Sequence, residues 1–281
     1  MGSAGSKMSK SNLPEGAIQE AGGIPAGWQL VWADEFDQDG LPDPKKWDYD
    51  TDRNSKGWYN NEKQYYSRAR PQNSRVESGV LIIEARRDDT GGFSDSGGQD
   101  YSSARLVTRG KASWTYGAWE VRAKLPCGRG TWPAIWMLAD KPNMQWPDDG
   151  EIDIMEHVGH DKGVVHGTIH TRAYNHMRST QRGSELRVED VCGSFHRYQM
   201  VWTPEAITMG VDDRNYFRFV NDGDGSKSTW PFSTPQYLLL NVAVGGTWGG
   251  AQGIDNSIFP VRMDVDYVRV WQSPKEAASA P

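Results

Sequence analysis

The chain has almost no cysteine, no long apolar run and no basic tract, and each shortage removes a class of protein. Two cysteines among 281 residues, Cys127 and Cys192, cannot build a disulfide framework, and they lack the paired spacing of a zinc ribbon. On their own they read as two separate buried thiols, with one bridge as the alternative in an oxidising compartment. No stretch approaches the ~20 apolar residues that span a bilayer, and none combines a basic start, an apolar middle and a small-residue cleavage site. The expectation is a soluble secreted protein whose signal peptide has been removed, with no membrane partner. Acidic residues outnumber basic ones by 37 to 31, for a net charge of -6, so the positive surface that a nucleic acid needs is missing. Helical periodicity is also absent: no segment keeps an apolar 3.6 spacing over three turns, and only short turns around 183–196 and 233–236 are expected.

Aromatic residues and short alternating runs are plentiful instead. Thirteen tryptophans offer amphipathic plates suited to a sandwich core or to stacking against sugar rings. Runs at 28–36, 79–87, 116–125, 134–139, 151–158, 163–171, 197–203, 206–212, 215–220, 237–244 and 263–271 have strand length and are separated by turn residues. Within 116–125, Trp119, Val121, Ala123 and Leu125 share one face while Glu120, Arg122 and Lys124 share the other, as in a sheet with one wet side. The expected fold is all-β, a jelly-roll sandwich of two antiparallel sheets with a concave cleft. Residues 1–24 read as a flexible leader, 25–273 as a single domain and 274–281 as a flexible tail. The Gly-, Asp- and Ser-rich segment 88–100 reads as a solvated surface loop.

The densest chemistry lies in Gly150-Glu-Ile-Asp-Ile-Met-Glu-His157. Strand alternation turns Glu151 and Asp153 to one face but would send Glu156 into the core. A bare carboxylate there costs several kcal/mol, so one inserted residue, a β-bulge near Met155, is the cheaper solution. All three acids then line one cleft. Glu151 and Glu156 become effectively four strand positions apart, roughly 12–13 Å, and side chains leaning together could bring their carboxyls to the ~5–5.5 Å of a retaining glycosidase.

The stretch Glu151-Ile-Asp-Ile-Met-Glu156 resembles the bulged E-x-D-x-x-E signature of glycoside hydrolase family sixteen, with the laminarinase branch the best fit. The resemblance runs from about Trp28 to Trp271 and includes "ADEFD" (33–37), "GWYNNEKQYY" (57–66), "YSSARLVTRGKASWTYGAWEVRAKLP" (101–126), "GTWPAIWML" (130–138), "HGTIHT" (166–171) and "GGTWGG" (245–250). Ala118 stands where an arginine is common and Cys127 where a lysine is usual. The resemblance implies a concanavalin-like jelly roll and a retaining endo-β-1,3- or β-1,3(4)-glucanase, with Glu151 as nucleophile, Glu156 as acid/base and Asp153 between them. It also implies sugar contacts at Asn61 and Arg105. Trp132 and Trp136, four apart and on one face, would form a platform, and Trp248 among its glycines would stack a further ring. His170 is expected to bond a sugar hydroxyl or a cleft acid rather than a metal. No catalytic cofactor is implied, but a structural calcium is, at Glu35, Gly79 and Asp266. The partner would be a β-glucan and the protein a monomer. Competing readings are a lichenase preferring mixed linkages, a transglycosylase, a galactan hydrolase, and a catalytically silent carbohydrate-binding jelly roll.

Overall fold

A computed structural model describes residues 22–279. The first strands in chain order are β1 (Gln29–Asp34), β2 (Asp48–Tyr49), β3 (Gln64–Tyr66), β4 (Ser74–Glu77), β5 (Val80–Arg87) and β6 (Tyr101–Ser103). They are followed by β7 (Arg105–Val107), β8 (Gly117–Lys124), β9 (Thr131–Ala139), β10 (Glu151–His157), β11 (Val164–His170) and β12 (Arg182–Arg187). The last are β13 (His196–Trp202), β14 (Ala206–Val211), β15 (Arg214–Val220), β16 (Gln236–Val244) and β17 (Val261–Gln272), before a short helix α1 (Pro274–Ser279).

Two sheets pack face to face. The cleft-bearing sheet runs β12-β11-β10-β9-β16-β7-β2, and the backing sheet runs β15-β14-β13-β8-β17-β5-β6-β3, with β1 beside β17 and β4 beside β5. Every pairing among the described residues is antiparallel except β3 with β6. Between the sheets lie Trp119 and Val121 of β8, Ile135 and Met137 of β9, Leu238 and Leu240 of β16, and Trp202 of β13, all fully buried. Burial of each such side chain contributes roughly 1.5–3 kcal/mol relative to exposure. On β17 the inward residues change parity, from Met263 and Val265 to Val268 and Val270, where the register with β8 shifts between Val265 and Tyr267. A one-residue irregularity thus keeps a twelve-residue strand facing the core.

Four expectations need correction. Cys127 and Cys192 form a disulfide, with Cα atoms 5.9 Å apart, rather than two separate thiols. The physical reason is local: Leu125 N donates to Val191 O at 2.8 Å and draws the two segments together. Closing a loop with a sequence separation of 65 is worth about 4 kcal/mol in the chain-entropy treatment. Residues 182–187 are strand β12 rather than a turn, polar because β12 is an edge strand whose one neighbour is β11. The 88–100 segment is a loop but not simply a solvated one, since Thr90 and Ser96 are buried and Phe93 packs on Tyr65. Pro274–Ser279 is helical where a tail was expected. Most of the expected leader, residues 1–21, lies outside the described residues.

Candidate active site

Strand β10 runs through the middle of the cleft-bearing sheet and carries the acids. Gly150 precedes it at φ 83°, and a Cβ there would fall 2.6 Å from Phe232, so only glycine admits the chain to the strand at this angle. Asp153 lies opposite Trp136 of β9, and the next pair is Met155 with Ile135, which leaves Ile154 as the extra residue. The pairing with β11 shifts at the same place, between Asp153 and Glu156. Ile154 and Met155 both enter the core, and Glu156 returns to the side of Glu151 and Asp153. The bulge expected from the sequence is therefore present.

All three acids line one cleft of about 690 Å³. Trp146 Nε1 donates to Glu151 Oε2 at 2.6 Å, and Trp132 Nε1 donates to Glu156 Oε1 at 3.1 Å, so each glutamate is held by its own indole. His170 Nε2 lies 3.2 Å from Asp153 Oδ2, close but without hydrogen-bond alignment. Burial comes first among the causes that push these carboxyls up. Glu151 is pushed to about 8, with the neighbouring Asp153 charge adding to the shift while His170 and the Trp146 donor oppose it. Asp153 is pushed to about 7, moderated by its hydrogen bond with Glu151. Glu156 is raised well above the carboxylate range, with Asp153 and Glu151 adding and the Trp132 donor opposing. Three acids so placed share protons rather than carry three charges. Glu151, Asp153 and His170 bring donor atoms within 4.8 Å of one another, a spacing also used by metals. Mutual hydrogen bonding and raised proton affinity suit the group better to proton transfer, since a metal needs its carboxylates ionised.

Arg105 also lines the cleft, stacked at 4.4 Å on Trp58, 4.8 Å on Tyr66 and 5.1 Å on Trp136, and it reaches Asp50 at 3.4 Å. Trp132 and Trp136 face the cleft as expected, the latter fixed by donation to Asn241 Oδ1 at 2.7 Å. Trp248, expected to stack a sugar ring, is edge-on to Trp132 at 5.5 Å and to His166 at 4.9 Å and does not line the cleft. His170 lies beneath the acids and against Trp146. The expected Asn61 is a correction: Asn60 lines the cleft, whereas Asn61 lines an adjoining hollow with Lys63 and Gly245. Both asparagines have positive φ, 58° and 57°, so the chain reverses between them and strand parity does not apply. Sequence reasoning also missed Trp146, left without a role, and His176 and Met177, all at the cleft. Glu35 and Asp266 lie away from it, the first ion-paired with Arg269 at 2.8 Å and the second with Arg122.

Comparison with known proteins agrees with this geometry. Residues 61–269 match the description of Glycosyl hydrolases family 16. A beta-glucanase of Rhodothermus marinus is 57% identical over 252 residues, covering 87% of this chain and 85% of that protein. The X-ray structure of the laminarinase from Rhodothermus marinus superposes with a TM-score of 0.82 at 57% identity, over 87% of this chain and 97% of the other. A variant of SCLam, a non-specific endo-β-1,3(4)-glucanase crystallised with 1,3-β-D-cellotriosyl-glucose, gives a TM-score of 0.89 at 56% identity, over 90% of this chain and 98% of that one. With its acids brought to one face by the bulge and its sequence matched over most of its length, the chain belongs to glycosyl hydrolase family 16.

Proposed function

We propose that this protein is a retaining endo-β-glucanase that hydrolyses internal β-1,3 linkages, and those of mixed β-1,3-1,4 chains, in glucans such as laminarin. The observation that carries the reading is the bulge at Ile154, which sets Glu151 and Glu156 on one face of an aromatic-lined cleft, each under its own indole donor. In the first step a Glu151 oxygen attacks the anomeric carbon. The bond to the departing glycosidic oxygen breaks, and the proton of Glu156 passes to that oxygen. Forming the ester removes the Glu151 charge, which lowers the proton affinity of Glu156 and readies it to take a proton from water. That water attacks the anomeric carbon, releases the sugar with its original configuration and frees Glu151. Asp153 orients the nucleophile through their shared hydrogen bond. Trp132, Trp136 and Arg105 hold the sugar rings, His170 steadies Asp153 from below, and Trp248 braces Trp132. A binding-only jelly roll would gain nothing from burying three carboxyls together.

Proton NMR of the first products should show the β-anomer, and early digests of laminarin should contain a spread of oligosaccharides. An initial α-anomer would refute retention, and glucose as the sole early product would refute internal cleavage. A panel of laminarin, barley glucan, agarose and carrageenan separates glucanase from galactan hydrolase, with release from the first two expected.

The same proposal includes a structural calcium at Glu35, Gly79 and Asp266. What supports it is register: β1 ends with Asp34 opposite Val268, and β5 meets β17 through Leu81 and Val265, so Glu35 and Gly79 flank the β17 irregularity at Asp266. Backbone carbonyls at 35 and 79 and a carboxylate at 266 are hard oxygen donors of the kind calcium takes. Arg122, which holds the Asp266 carboxylate here, is the competing cation. Calcium should raise the melting temperature in a concentration-dependent way. No shift on chelation and re-addition would remove the site. An extracellular setting belongs to the same reading, supported by the Cys127–Cys192 disulfide.

A further inference from the structure

Two more carboxylates, Asp50 and Glu62, are buried in the cleft and take no part in the displacement just described, and Asp50 is paired with Arg105. Glu62 is 7% exposed, follows the turn Tyr59–Asn61, and lines the cleft with Arg105, Trp132 and Asn241. Its position is constructed by several partners. Gln64 Nε2 donates to Glu62 Oε2 at 2.9 Å, while Gln64 Oε1 accepts from Val244 N at 2.8 Å, so the acid is tied to the end of β16. The Glu62 backbone bridges to Gly245. At Gly246 a Cβ would come within 3.2 Å of both Glu62 Cγ and Trp132 Cζ3, so a glycine is what lets the acid and the indole crowd together. Glu62 thus approaches one edge of the indole whose other edge donates to Glu156. Burial pushes its carboxyl up, against Arg105, Gln64 and Asn60, which all favour the anion.

An apolar side chain would fill this place at less cost. A carboxylate with donors on its protein side and the cleft on the other is fitted to receive a hydroxyl, of which every sugar ring offers several. We propose that Glu62 is a positioning residue for the acid/base step: it accepts a hydroxyl of the sugar seated against Trp132 and acts on Glu156 across that indole. The inference rests on the β-glucanase reading. The groups facing Glu156 are Asp153 and Glu151 on its own strand, the Trp132 indole from β9, His166 directly opposite on β11, Tyr216 from β15 of the backing sheet, and Glu62. Burial pushes His166 down, toward its neutral form, which leaves Glu62 as the one anion acting from outside β10 among the causes that raise Glu156.

The test is the pH dependence of kcat/KM on laminarin for Glu62→Gln and Glu62→Asp. In Glu62→Gln the alkaline limb, set by loss of the Glu156 proton, should move down by about half a pH unit to one unit, as expected for removing one nearby charge at an intermediate effective dielectric. KM should rise severalfold. Glu62→Asp keeps the charge but withdraws it by one methylene, so its limb should stay near that of the unmodified enzyme while KM rises. An unmoved limb in folded Glu62→Gln, or a fall in kcat with neither limb nor KM altered, would overturn the proposal. Should Glu62→Gln fail to fold, an unchanged KM in Glu62→Asp would overturn the hydroxyl contact. Absence of glucanase activity in the unmodified protein would instead overturn the underlying reading.

Discussion

Glu151→Ala should lower hydrolysis by roughly 10⁴-fold or more on polysaccharides and aryl glycosides alike, because a missing nucleophile affects every substrate whatever its leaving group. Trp146 would lose its acceptor, but the fold should not weaken. A carboxyl whose folded pKa is raised makes the native state less stable as pH climbs above its unfolded value, so the penalty is absent near pH 4 and grows through about 8 for Glu151. Removing the group should leave the melting temperature at pH 8 unchanged or higher. Activity assays on both substrate types, beside thermal melts at pH 5 and 8, provide the check. Residual turnover near that of the unmodified protein would exclude Glu151 as nucleophile.

Glu156→Ala should divide the substrates instead. Polysaccharide hydrolysis should drop by roughly 10²–10⁴-fold, the usual worth of general acid catalysis, while aryl glycosides with good leaving groups keep much more of their first-step rate. Their departing oxygen needs no proton. The second step still lacks its base, so a burst of phenol followed by slow turnover is expected, with the glycosyl-enzyme accumulating. Comparing kcat/KM for laminarin with that for an activated aryl glycoside tests the assignment. Equal losses on both, with circular dichroism unchanged, would count against Glu156 as the acid.

The acids and the bulge were legible because strand parity is a strict rule and an intact acid at the wrong parity demands a remedy. Ile154 and Met155 enter the core together, and that is what the spacing of Asp153 and Glu156 required. Trp132 and Trp136 were legible as sharing a face because they stand four apart on one strand, whereas Arg105 was legible only through the family resemblance. What was not legible lies off the strands. Asn60 displaced Asn61 through two consecutive positive-φ residues, and Trp146 and His176 reach the cleft from turns that have no period to read. Glu62 was hidden because its partners, Gln64 and the end of β16, are brought together by folding across a separation of 180 residues between Gln64 and Val244. The disulfide was missed for a similar reason, since no local pattern shows that Leu125 and Val191 are neighbours.

The bulge on β10 also lets the active site absorb a change in the phase of the chain. Ile154 is a spacer that the bulge takes up, so the residues beyond it keep the faces they would have without it. Exchanging it for valine or leucine leaves every later residue on its own side of the sheet. Deleting it would let regular alternation run from Asp153 through Met155 to Glu156, which still sets Met155 in the core and Glu156 on the cleft face. A change in length is therefore tolerated at this one point of the strand, whereas loss of Ile152 would make Glu151 and Asp153 adjacent and send them to opposite faces.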